Sequence, residues 1–98
     1  MIVRQGDLLL RRVATRDPAG EVREHTLAVG EESGHWHAAI GVLEEIEGRR
    51  LLTVREPTLL RVEGQPGRHT PIELPPGTWD VWTEREYVPR EVPRAVQD

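Results

Sequence analysis

His37-Ala38-Ala39-Ile40-Gly41-Val42-Leu43-Glu44-Glu45-Ile46 is the stretch on which the fold class turns. Ala, Leu and Glu are good helix formers, and a helix would bring Ile40, Leu43 and Glu47 onto one face. Gly41 lies inside the run, however, and Ala38, Ile40 and Val42 fit the alternation of a strand equally well. We read a strand. Helix competes nowhere else, so the chain reads as all-β.

Working outward, short apolar runs recur between Gly, Pro and Asp. Residues 7–14 (DLLLRRVA) follow a Gln-Gly-Asp turn signal, and Asp17-Pro18-Ala19-Gly20 predicts a β-turn leading into 22–29 (VREHTLAV), so these two runs read as a hairpin. On the other side, 50–55 ends before Pro57, and 58–63 ends at Gly64. A Gly- and Pro-rich loop, 64–71, precedes Ile72-Glu73-Leu74, and Pro75-Pro76-Gly77 reads as a tight turn before a last strand over 78–88. On that strand Trp79, Val81, Thr83, Arg85 and Tyr87 share one side and predict the core face, with Trp82 on the other side and partly exposed. The expectation is one small barrel or roll of about six to eight short strands over residues 1–88, with 89–98 as an exposed C-terminal arm.

Composition bounds the function. The chain has 98 residues, 31% of them charged, with a net charge of −4 and both signs interspersed. Duplex nucleic acid needs a clustered basic face, and the arginines are instead scattered from Arg4 to Arg94, so it is not an expected partner. All 13 basic residues are Arg, and the absence of Lys, Asn and Phe together suggests a GC-rich, bacterial genome. Without Cys there are no disulfides, no thiolate metal sites and no cysteine nucleophile, which leaves nitrogen and oxygen as metal ligands. The N-terminus does not read as an export signal, and no run approaches the roughly 18 apolar residues of a spanning helix. The expected location is the cytoplasm, away from the membrane.

Chemistry concentrates in Gly30-Glu31-Glu32-Ser33-Gly34-His35-Trp36-His37. In an extended backbone His35 and His37 point to the same side, so two imidazoles can converge on one ion while Trp36 faces away, as a core plug or as a contact for a partner. Zinc prefers four ligands, and a two-ligand site is weak. His69, in the 64–71 loop, is the expected third ligand, with Glu44 or a water as the fourth; Glu31, Glu32 and Glu45 are other oxygen donors. Such a set suits Zn, Fe, Ni or Mn. The alternative reading of the histidines is structural: they hold the loop by hydrogen bonds to buried carbonyls. Ser33, two residues from His35 on one short loop, is no persuasive nucleophile, and the acidic pair after Gly30 repels phosphate, so no reaction is assigned.

Two resemblances attach to these residues. His35-x-His37, then Glu44, Pro66-Gly67-x-His69 and Leu74-Pro-Pro-Gly77-Thr resemble, in a compressed form, the cupin pattern, which implies one divalent metal held by H-x-H, a Glu and a later His inside a small β-barrel. Over nearly its whole length the chain is similar to short uncharacterised bacterial and phage-borne proteins, through Arg4 to Leu10, Leu27 to His37, His69 to Val81 and Arg85 to Tyr87. That similarity implies that His35, His37 and His69 recur as a set, and it implies no function. The sequence therefore leads to a soluble β domain with a divalent-metal or small-ligand site at His35, His37, His69 and Glu44. The rival is a non-enzymatic interaction module whose contact surface is the 30–37 loop and an exposed Trp, with a protein partner or a homodimer through Trp82.

Overall fold

The computed structural model describes residues 1–30, 34–64 and 70–84. Within them the chain forms eight strands: β1 (Ile2–Gln5), β2 (Leu8–Val13), β3 (Arg23–Val29), β4 (Trp36–Ile46), β5 (Arg49–Val54), β6 (Thr58–Glu63), β7 (Ile72–Leu74) and β8 (Gly77–Thr83). No helix among them is long and apolar enough to cross a membrane. The competing helix over 37–46 is absent, and that segment belongs to β4, a strand of 11 residues. Residues 85–88, the end of the 78–88 run, and the 89–98 arm lie outside the described residues.

The strands follow the order β1-β2-β8-β5-β4-β6-β7, with β3 on β4, and curl into a nearly closed barrel. The curl comes from one long strand and two lines of chain that continue past a break. β4 pairs along its second half with β5, from Val42↔Thr53 to Ile46↔Arg49, and along its first half with β6, from Trp36↔Glu63 to Ala38↔Arg61. β6 therefore continues the direction of β5 across Arg55-Glu56-Pro57. In the same way β7 pairs with β6 and β8 with β5, so β8 continues β7 across Pro75-Pro76. The expected reversal at Pro75-Pro76-Gly77 is a corner instead. Proline lacks the N–H that a ladder needs, so it interrupts pairing whether or not the chain turns back, and sequence alone does not distinguish the two.

The expected hairpin between 7–14 and 22–29 does not form. β2 lies between β1 and β8, and β3 pairs with β4. The partner missing from the sequence reading is β1, which joins β2 through Gly6-Asp7 with Gln5 opposite Leu8. Gly6 has a φ of 63°, as a two-residue hairpin loop with Gly first demands. Residues 14–22 become a strap across the outer face of β8 and β5: the Arg16 N–H donates to Thr78 Oγ1 at 2.9 Å, the Arg55 guanidinium donates to the Pro18 carbonyl, and Pro18 is buried.

That strap leaves β8 covered on both faces. Trp79 and Val81 join Leu8, Leu10, Leu27, Leu52, Val54, Leu60 and Leu74 in the core, and Thr83 is buried on the same side, as expected. On the opposite face the Thr78 and Thr53 hydroxyls bond each other at 2.9 Å, and Asp80 takes Arg49 at 3.0 Å. Trp82 is half-buried, with the Arg11 guanidinium 5.8 Å over its ring.

Candidate functional site

β4 begins at the site. His37, its second residue, is fully buried, whereas Trp36 before it keeps 39% of its surface exposed. The expectation of Trp36 as a core plug is thus reversed: the alternation holds, but the imidazole takes the inside and the indole the outside. The physical reason is a polar partner waiting within the barrel. Gln5, at the end of β1, is 3% exposed, and its side chain lies 2.9 Å from His37 Nδ1 through Oε1. Its Nε2 donates to the Leu60 carbonyl at 3.0 Å and to the Thr70 carbonyl at 2.9 Å. An inward imidazole is then hydrogen-bonded rather than stranded, which removes most of the cost of burying it.

Gln5 also closes the barrel. β1 and β6–β7 are at opposite ends of the strand order, with no ladder between them, and the Gln5 amide spans the seam. The sequence reading missed this residue. Its signal was a polar side chain two positions from Val3, directly before a Gly-Asp hairpin loop.

His35 precedes β4 and is 8% exposed. Its ring meets that of His37 edge to face, with centroids 5.2 Å apart and planes at 74°. The two imidazoles do share a side, as the H-x-H spacing predicts. Gly30 makes room for them: a Cβ at that position would stand 2.2 Å from the His35 ring, and the Gly30 N–H donates to the His35 carbonyl at 2.7 Å. Gly64, just past β6, makes room for the turn before them, since a side chain there would meet the Gly34 carbonyl at 2.7 Å and the Trp36 ring at 2.9 Å.

Of the other expected ligands, Glu44 is not brought to this pair. It stands seven positions along β4 from His37, roughly 23 Å of extended chain. Its carboxylate takes a bidentate hydrogen bond from Arg16, at 2.9 and 3.1 Å, and that bond holds its pKa below the ordinary Glu value while partial burial acts the opposite way. His69, Glu31 and Glu32 lie outside the described residues, where the 64–71 loop is seen only at its ends. Both ends touch the site: Gly64 packs on Gly34 and Trp36, and Thr70 accepts from Gln5. His25, mid-strand on β3, is opposite Ala39. Among the described residues, no group of three or more His, Asp or Glu gathers as a metal cluster.

The fold and this geometry define a class: a small all-β, barrel-like domain with a sealed imidazole pair at the seam where its sheet closes. A family model for a domain of unknown function, DUF8820, matches residues 4–84, and the chain belongs to that family. Comparison with curated proteins finds no match, and comparison with solved structures finds none.

Proposed function

We propose that the domain binds a divalent metal ion at the imidazole pair, with His35 and His37 as ligands and His69 as the third. The observation that carries this is the spacing of the rings. A zinc-bound imidazole nitrogen lies about 2.0–2.1 Å from the metal and about 1.1 Å in front of its ring centre, so two such rings at a tetrahedral angle have centres about 5.2 Å apart. His35 and His37 stand at 5.2 Å, a spacing that an edge-to-face ring contact without a metal also gives. The bond that Gln5 Oε1 accepts from His37 Nδ1 adds support, because metal-bound histidines almost always anchor their second nitrogen on an oxygen. Glu44, held by Arg16, is not in the set, and a water serves as the fourth ligand. Nitrogen and oxygen ligands accept Zn, Fe, Ni or Mn. No general base stands beside the pair among the described residues, so the proposal stops at binding.

Metal content after purification without an affinity tag tests it. The wild type is expected to carry about one equivalent and the His35→Ala/His37→Ala variant close to none; equal, near-zero content in both after growth with added metal would contradict the proposal.

A second reading, a protein-contact surface, is favoured by Trp36 and Val29. They face each other across β4 and β3 with 39% and 55% exposure, forming an outward apolar pair. A second copy of the chain is the partner that can be tested directly. Concentration-dependent mass in light scattering, abolished by Trp36→Ala, would favour it, and a constant monomer mass would exclude it.

A further inference from the structure

The Gln5 amide is oriented by its surroundings. Two backbone carbonyls, of Leu60 and Thr70, lie 3.0 and 2.9 Å from one terminal atom of the side chain. A carbonyl only accepts hydrogen bonds, so that atom must be the NH2 group, and both of its hydrogens are used. The other terminal atom is then the oxygen, which faces His37 Nδ1 at 2.9 Å and can only accept. His37 must therefore carry its proton on Nδ1, and the neutral ring presents its lone pair at Nε2. Sealed inside the barrel, the ring cannot trade this arrangement for one with water.

We propose that Gln5 is a positioning residue that fixes His37 as the Nδ1–H tautomer and thereby selects Nε2 as the atom offered to a bound metal ion. This rests on the reading of the pair as a metal site and deepens it. The same amide spans the seam between β1 and β6, so the tautomer and the closure of the barrel depend on one side chain. A leucine of similar size at this position keeps no acceptor towards Nδ1, and a glutamate would set an acceptor oxygen against the Leu60 and Thr70 carbonyls.

Long-range proton–nitrogen correlation spectra of the 15N-labelled full chain, stripped with chelator and held about two pH units above an ordinary imidazole pKa, read the tautomer with no metal present. His37 is expected to show a protonated Nδ1 and an unprotonated Nε2. Zinc titrated into the same sample is expected to perturb Nε2 and leave Nδ1 protonated. Gln5→Leu is expected to lose the fixed tautomer and to weaken zinc binding about 10–100-fold. An Nε2–H tautomer in the wild type would overturn the proposal, as would an unchanged tautomer in Gln5→Leu. Should Gln5→Leu fail to fold, the wild-type spectrum decides the matter. A fixed Nδ1–H tautomer in a protein that binds no zinc would leave Gln5 in its role and remove the metal instead, so the two failures are distinct.

Discussion

Trp79 and His37 are equally inaccessible to solvent, and they are held inside the same barrel by different physics. Trp79 sits among Leu10, Leu52, Val54 and Val81, in a cluster whose cohesion is apolar area and dispersion, with the Arg12 guanidinium 5.6 Å over its ring. Its place is specified by size. His37 is held instead by a partner, a glutamine from the far end of the strand order whose amide is itself pinned by two carbonyls. Packing tolerates repacking and loses stability gradually, whereas a polar network fails as a unit when one member is removed. A fold seeking only stability has little reason to bury an imidazole beside a second one, and the contrast is what separates the candidate site from the rest of the core.

Replacement of each residue should break the comparison in its own way. Trp79→Ala removes the largest buried side chain and is expected to cost about 3–5 kcal/mol, a large share of the stability of a domain this size, read as a fall in the urea midpoint. Gln5→Ala removes less volume but leaves the Leu60 and Thr70 carbonyls and the His37 N–H without their partner, at an expected cost on the order of 1–3 kcal/mol. The sharper distinction is coupling: Gln5→Ala and His37→Ala together should cost less than their sum, while Gln5→Ala and Trp79→Ala should add. Additivity of the first pair in the same urea titrations would mean that the glutamine and the histidine do not act as one network.

The smallest expected effect concerns Glu44, which belongs to neither region. Its folded-state pKa is depressed by Arg16, so its contribution is present above the unfolded Glu pKa and is lost as pH falls through the folded value. The matching rise at Arg16 lies above any working pH. The wild type should therefore exceed Glu44→Gln in stability at neutral pH by a small margin that vanishes in acid. The pair is exposed, and salt should shrink that margin further. A difference that grows on acidification would contradict the assignment.

Much of this was legible in the sequence because alternation and turn residues are local properties. Gly41 argued against a helix in 37–46, the strand runs between Gly and Pro were visible, and Trp79, Val81 and Thr83 announced the inner face of β8. The side shared by His35 and His37 followed from the H-x-H spacing alone. Pairing was not legible. Residues 2–5 are too short a run to declare a strand, and without them β2 had no visible partner except β3. The corner at Pro75-Pro76 was misread for a related reason: prolines show that a ladder stops and carry no information on whether the strand then continues. The inward turn of His37 depends on Gln5, 32 positions away. Local patterning therefore favoured the larger, more apolar Trp36 for the interior, and it could not know that a hydrogen-bond acceptor waited there.

The claim beneath all of these is that the two imidazoles are arranged to hold an ion. The most direct test is anomalous diffraction from crystals of the full chain soaked in zinc. The account predicts a single peak about 2.0–2.1 Å from a nitrogen of His35 and from Nε2 of His37, with Nδ1 still on Gln5. Zinc at surface carboxylates alone, or none within bonding distance of either ring, would contradict it.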